Sequence, residues 1–185
     1  MIDGAGSRTT EKAFSDKAVE VREGKLKDAK ALAEALSSIV PDDAQFEAAF
    51  SFTTKKPRHA RYLLHALQRS AEKGKKNPEL ISNADETQVS LEHILPREPD
   101  PGAWPQFTSE QHAELFNRLG NEVLLDARTN GALGSKSYAQ KKPLYEESKL
   151  SMTRTVAEEF EDWTPATIAA RQIALAKLAV ATWPR

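Results

Sequence analysis

Only two short stretches of this chain read as β-strands, and that scarcity limits its possible folds more than any other feature. Val89–Leu95 is apolar, partly β-branched and stopped by Pro96; Glu122–Leu125 is the second. Elsewhere the apolar residues recur at helical spacing. Leu26, Ala29, Leu32, Ala33 and Leu36 form one stripe ahead of Pro41. Phe46, Ala49 and Phe50 form another behind a cap at Asp42 or Asp43. Tyr62, Leu63, Ala66 and Leu67 mark a helix over about 58–70, after Pro57. Thr108-Ser109-Glu110-Gln111 has capping-box spacing and predicts a helix ending at Gly120. A Gly-rich loop follows the second strand, then a helix from near Ser137 that Pro143 must end or kink. Thr164-Pro165 opens a last helix, to about Thr182, with Ile168, Leu175, Leu178 and Ala179 as its stripe. The expected fold is α+β and mainly helical. Residues 1–12 are expected to be a disordered lead-in, 13–87 a helical subdomain, and 88–185 the part built on the strands.

At 185 residues the chain has the length of one domain. Its 39% apolar and 29% charged residues suit an ordered core. The absence of cysteine excludes disulfides, thiol nucleophiles, zinc ribbons and iron–sulfur clusters. No apolar run approaches the roughly 20 residues of a membrane span, and no signal peptide is expected from the first residues. The expected setting is the cytoplasm. A net charge of -1 excludes a bulk polycation, but the charge is uneven. From Thr53 to Lys76 the bases Lys55, Lys56, Arg58, Arg61, Arg69, Lys73, Lys75 and Lys76 face one acid, Glu72. From Ala127 to Lys142 stand Arg128, Lys136, Lys141 and Lys142 and no acid. Taken singly, such runs are solvated helix faces; together they bracket one candidate site and suggest a phosphate-binding surface.

Of four histidines, His59, His65 and His112 fall on helical stretches and read as surface or capping residues. His93 differs. In Leu91-Glu92-His93-Ile94-Leu95-Pro96 an acid and a histidine are set into an apolar strand, which is costly unless both have partners. Gly131–Ser137 lies where a phosphate-binding loop would, but Ser135 separates Gly134 from Lys136, so nucleotide binding is not expected there. Trp104, Phe107, Phe116, Trp163 and Trp183 read as core anchors.

Glu92-His93-Ile94-Leu95-Pro96, then Gly120-Asn121-Glu122-Val123-Leu124-Leu125, then Asn130, then Tyr138-Ala139-Gln140-Lys141-Lys142 with Tyr145, together resemble the HNH-type nuclease domain at the C-terminus of GmrSD-type restriction endonucleases. Arg61-Tyr62-Leu63-Leu64, Trp163, Arg171 and Trp183 extend the resemblance over about 43–185. It implies a small ββα-metal core over 88–185. It implies His93 as general base, Asn121 as the residue that pins the turn and orients the histidine, and Glu92 and Asn130 as ligands of Mg2+ or Mn2+. Lys141 matches a basic residue facing phosphate. With Lys142, Lys55, Lys56, Arg58, Lys75 and Lys76 it makes up the expected DNA contacts. The implied partner is double-stranded DNA, together with an N-terminal nucleotide-handling domain or subunit. Two departures stand out: Glu122-Val123 replaces the family's Leu-Thr, and Ser135 stands where a second asparagine is common.

These residue types suit phosphodiester hydrolysis. A neutral imidazole, with an ordinary pKa of about 6.5, can take a proton from water. A carboxylate and an amide oxygen are hard ligands that suit Mg2+, which would act as Lewis acid. One tension is built in. Neighbours on a strand point to opposite faces, so Glu92 and His93 share a site only if the strand bends or ends there. Two other readings stay open: a DNA-binding module without chemistry, and a protein-interaction module on the same scaffold.

Overall fold

The computed structural model describes residues 7–73, 85 and 87–184. Helices α1 (Ser7–Arg22) and α2 (Ala29–Leu36) form an N-terminal hairpin. Gly24, at φ 72°, supplies the left-handed turn between them, and Asp28 caps α2 through Ala31 N–H. The stretch 1–12 was expected to be a disordered lead-in, but α1 already covers residues 7–12. Lys12–Asp16 and Lys17–Glu20 pairs at helical spacing support it.

α3 (Asp43–Phe50) starts at a capping box made by Asp42 and Gln45, and α4 (Pro57–Ala71) has its proline at the first helical position. Strand β1 (Val89–His93) pairs antiparallel with β2 (Glu122–Asp126), with His93 opposite Glu122 and Leu91 opposite Leu124. Between the strands lie α5 (Ser109–Leu115), capped by Thr108 and Gln111, and a 3-10 turn, Leu119–Asn121. The helix expected to run to Gly120 therefore stops a turn earlier.

After β2 come α6 (Ala127–Leu133), α7 (Tyr138–Glu146), α8 (Ser151–Glu159) and α9 (Pro165–Thr182). Three of these depart from the sequence reading. The expected Gly-rich loop is mostly α6, capped by Asp126 and ended by Gly134 at φ 54°. α7 runs on past Pro143, so of the two expected outcomes, an end or a kink, the end does not occur. Pro143 and Ala139 are both exposed, so the carbonyl that loses its helical partner can turn to solvent. The threonine-rich α8 has weak intrinsic propensity; it is held by buried Val156 and Ala157 and by Thr153 Oγ1, which donates to Leu124 O at 2.6 Å.

The hairpin is the middle layer. One core cluster joins Val89 and Leu124 to Phe50, Leu63, Leu64 and Leu67 of α3 and α4 and to Leu175, Ala176 and Ala179 of α9. The other joins Val123 and Leu125 to Leu133, Tyr138, Tyr145, Val156 and Trp163. The first cluster draws from both sides of the expected boundary at 87/88, so α3 and α4 share a core with the strands. Among the described residues, no helix is long and apolar enough to cross a membrane.

Candidate active site

β1 ends at His93, and the chain leaves it under tight constraint. Ile94 N–H donates to Asn121 O at 2.9 Å and Leu95 N–H to Asn121 Oδ1 at 2.8 Å. Asn121 Nδ2 donates to Leu95 O and Phe116 O, both at 2.9 Å, and Trp163 Nε1 donates to Oδ1 at 2.9 Å. Asn121 is fully buried, and both ends of its amide are saturated. It thus ties the segment after His93 to the 3-10 turn and to the start of α9.

α9 in turn holds that turn. Arg171 Nη1 donates to the carbonyls of Leu119 (3.2 Å), Gly120 (2.6 Å) and Glu122 (2.8 Å). Gln172 accepts from Gly120 N–H and donates to Phe50 O at 2.7 Å. A Cβ on Gly120 would lie 2.5 Å from Ile168 O, so the close approach of α9 requires glycine. Burial lowers Arg171 to about 10, with Glu122 opposing that shift, and the guanidinium stays charged at neutral pH.

The pleat separates Glu92 from His93. β1 stays regular to its last residue, so their side chains take opposite faces. Lys141 Nζ donates to Glu92 Oε1 at 2.6 Å, to His93 O at 3.0 Å and to Ile94 O at 3.1 Å, and Tyr145 Oη donates to Glu92 Oε1 at 3.1 Å. Burial raises Glu92 and lowers Lys141, and each charge offsets the shift of the other. Burial, first of all, lifts Tyr145 well above its ordinary range, so its hydroxyl stays a donor. Asn130, on α6, donates to Ser90 Oγ at 2.8 Å and Leu91 O at 2.9 Å, fastening α6 to β1.

Glu92 and Asn130, expected to hold Mg2+ or Mn2+, do not fit that task in this arrangement. A divalent ion at Glu92 Oε1 would meet the Lys141 ammonium already there. Among the described residues, no group of three or more His, Cys, Asp or Glu is placed to hold a metal ion. Lys141, expected at a phosphate, is not at the surface either. It is fully buried, so it is a partner of Glu92 and two carbonyls and not a phosphate contact on the surface.

His93 faces Glu122. Its Nε2 lies 3.2 Å from Glu122 Oε1, and its side chain is 22% exposed. The contact falls short of a well-formed hydrogen bond: Nε2 and both Glu122 carboxylate oxygens are buried with no partner in hydrogen-bond geometry among the described residues. Burial raises Glu122, while His93 and then Arg171 pull it back. Phe116 lies beside His93, its ring centroid 6.4 Å away, and stacks on His112, whose Nε2 contacts Pro96 O at 2.8 Å. The sequence showed Glu122 only as a departure from a pattern. Its place opposite His93 depends on strand register, which a hairpin closed by a 28-residue connection does not reveal.

The basic loop before α4 reaches the same turn. Thr54 bridges Arg118, and Leu119 N–H donates to Thr53 O at 3.4 Å. Lys56 and Arg58 are exposed and Lys55 half-buried. Phe52, 71% exposed, lies under the Arg118 guanidinium at 5.4 Å. Lys142 is paired with Glu161. Lys75 and Lys76 lie outside the described residues. His65 is held to about 4 by burial and then by Arg61, so it is neutral.

No curated protein matches the chain. The family model of the C-terminal domain of GmrSD restriction endonucleases matches residues 40–178, which include α3 and α4, both strands, the Asn121 turn and most of α9. The chain therefore belongs to the family of GmrSD restriction endonuclease C-terminal domains.

Proposed function

We propose that this domain cleaves or nicks double-stranded DNA, as part of a restriction or anti-phage system, with His93 as general base. The observation that carries this reading is the placement of His93. It ends β1, next to a backbone clamped by Asn121, and its ring keeps contact with solvent. In the proposed step His93 takes a proton from water, the resulting hydroxide oxygen attacks phosphorus, and the bond to the leaving sugar oxygen breaks. That oxygen takes its proton from solvent. Lys55, Lys56 and Arg58 would meet the phosphates, on a stretch from Ser51 to Ala71 that carries no acid. An N-terminal nucleotide-handling domain or subunit would supply the choice of DNA.

No step is assigned to a metal, because Glu92 and Asn130 are engaged elsewhere. The same fact favours the second reading, a DNA-binding module without chemistry. Supercoiled plasmid nicking by the parent and by His93→Ala, in Mg2+, in Mn2+ and in chelator, tests these readings and the expected metal requirement together. Nicking by the parent, lost in His93→Ala with DNA affinity kept, supports the nuclease. Binding without nicks in every condition supports the module.

A further inference from the structure

We infer that Glu122 is a positioning residue for His93: its carboxylate accepts a hydrogen bond from the imidazole Nε2–H and leaves Nδ1 as the nitrogen that accepts a proton from water. The inference rests on the reading of His93 as a base and goes beyond it, to a partner on β2.

Three observations carry it. The antiparallel register sets Glu122 directly opposite His93, so both side chains leave the hairpin on the same face. The 3.2 Å approach of Nε2 to Oε1 is within reach of a hydrogen bond once the ring turns, and such bonds are often poorly aligned before substrate binds. Most telling is what Glu122 lacks. A fully buried carboxylate whose oxygens have no well-formed hydrogen bond among the described residues is costly, and its aliphatic neighbours do not call for one. Leu124, two residues on and on the same face, shows what that surface accepts: a plain aliphatic side chain in the core.

The chemistry follows from the two ring nitrogens. A carboxylate against one N–H fixes the tautomer and the ring plane, so the other nitrogen carries the lone pair. When Nδ1 takes the proton of the attacking water, the imidazolium stays next to a negative charge. The hydroxide formed bonds to phosphorus, the leaving oxygen departs with the electron pair of its bond, and solvent protonates it. Glu122 itself neither gains nor loses a proton, as in the buried carboxylate–histidine pairs of serine hydrolases. Arg171, bonded to the backbone carbonyl of Glu122, keeps a positive charge near enough to moderate the buried carboxylate.

Two variants and one spectrum test this. Glu122→Leu removes the acceptor and Glu122→Gln removes only the charge. In both, kcat for plasmid nicking should fall about 10–100-fold, the usual effect of losing such a partner, with KM unchanged and Tm no lower than in the parent. In ring-15N-labelled parent protein the His93 Nε2–H proton should give a protected, downfield resonance that disappears in Glu122→Leu. Parent-like kcat in both variants, or a resonance unmoved by Glu122→Leu, overturns the inference. So does Mn2+ broadening the Nε2 signal in place of a protected proton, since that makes the nitrogen a metal ligand. The spectrum needs no activity. A protein that never nicks DNA yet shows the Glu122-dependent proton refutes the nuclease reading while keeping the pair, and an active protein without that proton does the reverse.

Discussion

Glu92 and Glu122 are both buried carboxylates on the same two-stranded hairpin, on opposite faces, and their surroundings differ completely. Glu92 has an ammonium at 2.6 Å and a phenol at 3.1 Å, and the ammonium also ties down two carbonyls of its own strand. Glu122 has His93 at 3.2 Å and the Arg171 charge nearby, and among the described residues neither of its oxygens has a well-formed hydrogen bond. The first face is saturated and contributes cohesion. The second leaves an acid and a base close together and incompletely paired, which is where chemistry is more often found.

The comparison predicts that variants on the two faces fail in different ways. The largest effect is expected at His93. His93→Ala should lower the nicking rate by about 10²–10⁴-fold, the usual worth of a positioned base, while DNA affinity and Tm stay close to the parent; a variant that simply melts would place His93 on the structural side. On the Glu92 face the loss should be in stability. Lys141→Met leaves the Glu92 charge buried without its ammonium and should cost about 3–5 kcal/mol in urea unfolding. Changing Glu92→Leu as well should recover much of that, and an additive double variant would break the pairing argument.

Asn121 serves both faces, so Asn121→Ala should lose stability and activity together. It strands Leu95 N–H, two carbonyls and the Trp163 indole N–H, for about 2–4 kcal/mol. Glu122→Gln goes the other way. The folded-state pKa of Glu122 is raised, so its neutral form favours folding below the ordinary carboxylate range, and that contribution is lost as pH rises through the raised value. The neutral amide should therefore be more stable than the parent at pH 7, read as a higher Tm, and the gap should close as pH falls towards 4.5. A gap that widens on acidification reverses the sign and rejects the buried, raised acid. The smallest effect concerns binding: Lys56→Ala with Arg58→Ala should flatten the log K against log salt slope by about one to two units.

Much of this was legible in the sequence, because caps and prolines act locally. Asp42, Pro57, Thr108 and Thr164 each announce a helix start that the structure keeps within a residue or two. Local signals fail where long-range contacts decide. α8 exists because Thr153, Val156 and Ala157 meet β2 and the second core cluster, and Pro143 stays helical because its side of α7 faces solvent. The site divides in the same way. The residues in the Glu-His and Gly-Asn motifs could be named from their order, but which of them meet could not. Lys141 reads as a surface base until β1 is packed against α7, and Glu122 reads as a substitution until the register sets it across from His93.

The dependence of the Gly-Asn turn on α9 also has a meaning in time. Gly120 waits for Gln172, 52 positions later, and Asn121 for Trp163, 42 positions later. At roughly 5–20 residues per second on the ribosome, the segment behind His93 is synthesised several seconds before the side chains that lock it. A growing chain can hold the helical stripes of α3 and α4 and both strands and still lack the indole, guanidinium and amide that pair with the turn. The geometry around His93 therefore waits for residues made 42 to 52 positions after the turn, and a chain that stops short of Trp163, Arg171 and Gln172 lacks the side chains that finish it.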